Sequence, residues 1–339
     1  MKNAVLRTIA RTACRLPTPV HRLLSGPDVE IDGQTLDPLV SMMVKHFADD
    51  PNKIQSIEKI RASFDEQGDW FSHAPSPFVT MTPLVIDGPA GPINCEIHRP
   101  KGLPSPAPVL MFFHAGGHVS GSLESHRGVC RQLALDVNCA VVAVDYRLAP
   151  EHKFPVGVND CLAAFDSIVE KSAELGFDPD RISVGGDSAG GNVSAVVAQQ
   201  RKNAEHPPKY QVLIVPWLDM SKQTRSYELF AEGFLLEKVE MKWYTNHYLR
   251  SDEDALDPMA SPLLGDVEGV CPAALVIAGF DPLRDEGVAY AEKLKAAGIE
   301  ADVRVIEDLV HPFMNFPGRV PAAGAGFQQV VDILRENLL

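Results

Sequence analysis

Gly186-Asp187-Ser188-Ala189-Gly190 sets one serine between glycines two residues away on either side. This is the spacing of a nucleophile on a sharp strand-to-helix turn. Glycine at both places lets neighbouring backbones approach where a Cβ would clash, and the strained turn keeps the hydroxyl above a sheet. A serine nucleophile also needs a base to take its proton, an acid to hold that base in the right tautomer, and N–H donors for a tetrahedral oxyanion. Each is offered in chain order. Asp281 lies in GFDPLRDEG, two residues beyond the apolar run AALVIAG, and His311 lies in EDLVHPF, just past the last β-rich run. Of eleven histidines, His311 alone has that position. Asp285 is a rival acid four residues after Asp281, with a helix start as its other role. Asp187 is too locked by the turn to orient His311, so its expected role is a buried hydrogen bond supporting that turn. The oxyanion donors are expected from the N–H of Ala189 and from the loop His114-Ala115-Gly116-Gly117 after LMFF, with His114 shaping that loop through a ring hydrogen bond.

These residues need a scaffold that brings loop ends together. Beyond residue 80, short β-rich runs at 82–87, 93–99, 108–114, 139–146, 181–186, 210–217, 273–279 and 301–308 alternate with helical patterns at about 124–138, 157–175, 188–203, 284–297 and 322–338. Nearly continuous apolar strands alternating with helices predict a doubly wound, mostly parallel sheet of about eight strands covered on both faces, its first two strands an antiparallel edge. Gly298 reads as the C′ residue of the fourth helix. Residues 1–75 read as helices without strands, and 218–262 as a helix-rich insertion between sheet strands. The predicted division is therefore 1–75 and 218–262 as two parts of a helical cap, with 76–217 and 263–339 as two parts of the core. Phe230, Phe234, Leu235, Trp243, Tyr244 and Tyr248 give the insertion an apolar, aromatic set for packing a small subdomain or lining an acyl pocket.

The 339 residues are 45% hydrophobic and 22% charged, the composition of a globular chain. A formal charge of −14 would repel phosphate backbones and anionic membrane surfaces, leaving neutral or apolar small molecules as the expected partners. Cys14, Cys95, Cys130, Cys139, Cys161 and Cys271 form no metal-ligand spacing and read as reduced thiols. The basic start, with Arg7, Arg11 and Arg15 breaking its apolar run, reads as a folded helix and not a signal peptide. No segment approaches a membrane span. A cytoplasmic location is expected, with the periplasm left open by the unassigned first 17 residues.

Taken together, HAGG, DYRLAPEHKFP at 145–155, GDSAGG, DPLRDEG and HPFMNF resemble the hormone-sensitive lipase family of bacterial carboxylesterases, in its GDSAG branch, over residues 80 to 316. The resemblance implies an α/β-hydrolase core with a helical cap, no cofactor or metal, and hydrolysis of short- to medium-chain acyl esters; it also suggests a homodimer. Carried over by motif, Ser188 is the nucleophile, Asp281 the acid and His311 the base, while Gly116, Gly117 and Ala189 supply the oxyanion donors. His118, Phe230, Phe234 and Leu235 are the candidate substrate contacts. The chain departs from the family's HGGG-aromatic pattern: Ala115 replaces the first glycine and His118 the aromatic. A positive φ at Ala115 would cost about 1–2 kcal/mol, and His118 is expected to make the mouth of the site more polar. The same triad would serve an amidase, formamidase or lactonase, or a lipase acting on long chains. A small-molecule receptor on this scaffold would instead show a degraded triad, whereas here all three members stand in register.

Overall fold

The computed structural model describes residues 12–47, 56–71 and 74–338. Its centre is an eight-stranded sheet in the order β10-β9-β8-β7-β5-β6-β4-β3. The strands are β3 (Val79–Gly88), β4 (Gly91–Pro100), β5 (Ala107–Phe113), β6 (Ala140–Asp145), β7 (Phe177–Asp187), β8 (Gln211–Ile214), β9 (Ala273–Phe280) and β10 (Ala301–Val310). From β6 to β10 all neighbours run parallel, while β4 pairs antiparallel with both β3 and β6. The expected antiparallel edge is there.

Side-chain alternation explains why the parallel strands carry no polar face. Val109, Met111 and Phe113 of β5 enter one core with Val142 and Val144 of β6. Leu110 and Phe112 enter the other with Val141 and Ala143. Every residue of β5 and β9 is buried, as strands sandwiched between helices require. Helices Leu123–Val137, Val156–Glu170, Ala189–Gln200, Arg284–Ala296 and Pro321–Leu338 cover the faces. Arg284–Ala296 ends as its sequence predicts: Gly298 takes φ 76, its N–H reaches Lys295 O at 3.0 Å, and Ile299 N–H reaches Leu294 O at 3.0 Å. These are the two bonds of a Schellman cap.

The N-terminal region departs from the helices-only expectation. Besides helices Thr18–Ser25, Pro38–Phe47 and Ile57–Phe71, it carries a small antiparallel ribbon, β1 (Glu30–Ile31) with β2 (Gln34–Thr35). Asp32 and Gly33, both at positive φ, make its turn, as a tight hairpin demands. Two-residue strands have no alternation to read. The helix expected at the very start lies largely outside the described residues. Between β8 and β9 the chain forms short helices Arg225–Leu229 and Lys238–Tyr248 and two 3₁₀ turns, Asp252–Leu256 and Pro262–Leu264. Among the described residues, no helix is long and apolar enough to cross a membrane.

Candidate active site

Ser188 stands between the end of β7 and the start of helix Ala189–Gln200, with φ 57 and ψ −116. A β-carbon residue held there stores on the order of 1–3 kcal/mol of strain. The surroundings enforce the turn. Ser188 N–H donates to Ile214 O at 2.8 Å, and Ser188 O accepts from Asn192 N–H at 3.0 Å and Trp217 N–H at 3.2 Å. A Cβ at Gly186 or Gly190 would collide with the carbonyl oxygen of Phe113 on neighbouring β5. Both glycines of the motif are thus required by close approach. Asp187 is buried, with Oδ2 3.4 Å from His126 Nε2. That ring nitrogen is also 3.4 Å from the N–H of Ala115, so His126 joins the elbow to the loop after β5.

Asp281 and His311 meet across two strand ends. His311 Nδ1 lies 2.8 Å from Asp281 Oδ2, and Asp281 Oδ1 accepts the N–H of Leu283 at 2.8 Å. Asp281 is fully buried and His311 nearly so. Asp285 is occupied elsewhere: its Oδ2 takes Ser226 N–H at 2.8 Å and its Oδ1 pairs with Arg284 at 3.1 Å. Ser188, Asp281 and His311 all sit at the carboxyl ends of parallel strands, where ligands bind in such sheets.

The loop after β5 is tightly wound. Gly116 has φ 116 and Gly117 φ 60. Gly116 O accepts from Val119 N–H, Ser120 N–H and Ser120 Oγ at 2.8–3.0 Å. The N–H groups of Gly116, Gly117 and Ala189 have no acceptor among the described residues, the condition of donors kept for a ligand. His114 Nδ1 is 2.7 Å from Ala115 O, and Tyr146 donates to His114 O at 2.7 Å. The strain considered for Ala115 does not arise, and one expectation fails here. Ala115 is not at positive φ; the strained residue is His118, at φ 61. Nor does His118 lend polarity to a mouth: it is 2% exposed and stacks on Tyr248 with centroids 4.0 Å apart. Burial, with His114 close by, lowers its pKa to about 3, and burial lowers that of His114 likewise to about 3. Both rings are neutral at pH 7.

Two segments cover this loop. From helix Ile57–Phe71, Arg61 donates to Val119 O and Ala149 O, each at 2.9 Å, and Asp65 accepts from Ser122 Oγ at 2.5 Å. From helix Lys238–Tyr248, Tyr244 lays its ring where a Cβ on Gly117 would be. Phe230 and Phe234 pack away from this contact, against each other and Phe280 at centroid distances of 5.3–5.6 Å, with Leu235 at φ 68 beside the same core. Sequence reasoning passed over His126, Trp217 and Asn192. Only Asn192 had a signal, as the polar residue closing GDSAGGN.

An elbow serine, a carboxylate–imidazole pair and free N–H donors at the carboxyl edge of such a sheet define an α/β hydrolase. Residues 110–315 match the Abhydrolase_3 family, described as an alpha/beta hydrolase fold. The carboxylic ester hydrolase LipN of Mycobacterium tuberculosis is 42% identical over 95% of this chain and 89% of its own. An ethyl acetate hydrolase of Pseudomonas putida is 40% identical over 68% of this chain and 73% of its own. The metagenomic carboxylesterase EstE1 superposes with a TM-score of 0.81 at 39% identity, over 84% of this chain and 98% of its own. The chain belongs to this family of hormone-sensitive-lipase-like carboxylesterases.

Proposed function

We propose that this carboxylic ester hydrolase works through an acyl-enzyme on Ser188, with His311 as base and Asp281 as its orienting acid. The single observation that carries the reading is the buried 2.8 Å pair of His311 Nδ1 and Asp281 Oδ2, with Ser188 held on a strained elbow at the same edge of the sheet. With Nδ1–H bonded to the carboxylate, Nε2 is the free acceptor. Nε2 takes the proton of Ser188 as Oγ attacks the ester carbonyl, and Asp281 stabilises the imidazolium that forms. The oxyanion is received by the N–H groups of Gly116, Gly117 and Ala189, donors already in place before charge develops. His311 then protonates the leaving alkoxide. Water, deprotonated by His311, attacks the acyl carbonyl and frees Ser188.

Short- to medium-chain esters of neutral alcohols are the proposed substrates. The relative named as an ethyl acetate hydrolase supports that class, as does a net charge of −14, which disfavours anionic substrates. Residues 1–75 and 218–262 are proposed as the cap, on the strength of Arg61 and Tyr244 both reaching the oxyanion loop. The six unpaired cysteines favour the cytoplasm, and the family resemblance favours a dimer. The test is hydrolysis of p-nitrophenyl esters from two to sixteen acyl carbons by the wild type and Ser188→Ala. Preference for about two to eight carbons, with an inactive variant, is expected. Substantial turnover by Ser188→Ala would overturn the assignment.

A further inference from the structure

We infer that Asn192, four residues after Ser188, is a positioning residue that holds both feet of the 218–262 insertion to the nucleophile's helix and thereby fixes the insertion over the oxyanion loop. The inference rests on the catalytic reading above. Asn192 is wholly buried. Its Nδ2 donates to Trp217 O at 2.7 Å and to Ala260 O at 2.8 Å. Those two carbonyls flank the insertion, one just before it leaves the core and one just before it returns. Both amide hydrogens of one side chain are therefore spent on joining them.

The rest of the root has the same character. Leu263 N–H donates to Leu218 O at 2.9 Å, and Met220 N–H to Ser261 Oγ at 2.8 Å, closing a neck. Gln199, seven residues after Asn192 and so on the same helix face, donates to Pro262 O at 2.8 Å. Asn192 differs from these in its reach to the catalytic end. Its own N–H and that of Trp217 both bond Ser188 O, so the elbow, the near foot and the far foot share one hydrogen-bonded junction. Within the insertion, Tyr244 lies on Gly117 and Tyr248 stacks on His118. A shift at the feet therefore moves the wall that the insertion lays over the oxyanion loop, while the loop keeps its own bond from Arg61 to Val119 O.

The residue type follows from donor arithmetic. Two converging carbonyl oxygens need two donors from one short side chain, which a carboxylate, a hydroxyl or a thiol cannot supply. The orientation is fixed too: turning the amide over would set its oxygen against both carbonyls. Its Oδ1 has no partner among the described residues, so the environment favours the donors alone. A buried carbonyl stripped of its donor weakens whatever held it there by about tenfold or more in equilibrium terms.

The test compares the wild type with Asn192→Ala and Asn192→Asp. Asp keeps the shape but offers at most one hydrogen to two carbonyls, and it guards against a simple folding failure of the alanine variant. Amide deuterium exchange read by mass spectrometry should rise about tenfold or more in peptides covering 217–262, with β5 and β9 unchanged. KM for p-nitrophenyl hexanoate should rise about tenfold, with kcat for the acetate within about threefold of the wild type. Unchanged exchange in 217–262 would overturn the inference, as would an equal fall in kcat on every ester with KM unaltered. Labelling of wild-type Ser188 by a fluorophosphonate separates the two readings. Failure to label would sink the nucleophile assignment and leave the exchange result standing on its own.

Discussion

Replacing Asp281 by Asn tests the triad with the least disturbance of shape, because the pocket dictates how the amide must sit. Leu283 N–H donates to Oδ1 at 2.8 Å, so the amide oxygen has to occupy that place. Its NH₂ then faces His311 Nδ1, now 2.8 Å from Asp281 Oδ2, and donates to it. An Nδ1 that accepts leaves the ring proton on Nε2, where it blocks removal of the proton from Ser188. Turning the amide over would rescue the tautomer only by leaving the Leu283 N–H unpaired in a fully buried site, at about 1–3 kcal/mol. The negative charge that stabilises the imidazolium is lost in either orientation. A fall in kcat of about 10⁴ is expected, equivalent to about 5 kcal/mol of transition-state stabilisation. Initial rates on p-nitrophenyl butyrate, with thermal unfolding to establish that the variant is folded, give the answer. Asp285→Asn is the companion, and it should stay within about threefold of the wild type because Asp285 serves Ser226 and Arg284. A folded Asp281→Asn within tenfold of the wild type would refute the reasoning.

Gly117→Ala should lower kcat/KM by about 10²–10³, the cost of misplacing one oxyanion donor, because the new methyl meets the Tyr244 ring. Adding Tyr244→Ala should restore thermal stability more than activity, since φ 60 still strains an alanine; full activity in Gly117→Ala alone would contradict this. Acid should destabilise the fold through its buried neutral histidines. The folded-state pKa of His118 is about 3 against an ordinary 6.5, so between those values the unfolded chain binds a proton that the native state lacks. Stability conferred by the neutral ring is full above pH 6.5 and declines as pH falls towards 3. Asn tolerates the positive φ and does not titrate, so the melting temperature of His118→Asn should depend less steeply on pH between 6.5 and 4. An identical slope would show that His118 is not the group responsible.

The sheet was legible because buried parallel strands are apolar without interruption, as in LMFF of β5 and ALVIA of β9. The elbow was legible because two glycines are forced by the Phe113 carbonyl, a local requirement that leaves a local trace. What escaped was long-range. The ribbon at 30–35 is too short for a period, and Asp32 in its turn reaches Arg225 at 2.6 Å and Arg284 at 2.9 Å, partners 193 and 252 residues away. That the strain falls elsewhere than at Ala115 was hidden for a similar reason. Substitution of a family glycine drew attention to that position, whereas the backbone reverses at His118, whose carbonyl accepts Ala149 N–H at 2.9 Å. The aromatic residues of the insertion could be named but not sorted: Tyr244 faces the glycine loop, while Phe230 lies in the core with Phe280.

The bond from Leu263 N–H to Leu218 O has a consequence for how such a protein could change over time. It brings the two ends of the intervening segment as near to each other as the ends of a hairpin, so the sheet sees the same pair of attachment points whatever hangs from them. Doubling the length of a flexible loop with fixed ends costs only about 0.6 kcal/mol in closure entropy. The segment can therefore be lengthened, shortened or exchanged as a cassette while the strands keep their register. New selectivity can then be gained without refolding the part of the molecule that holds the reacting groups.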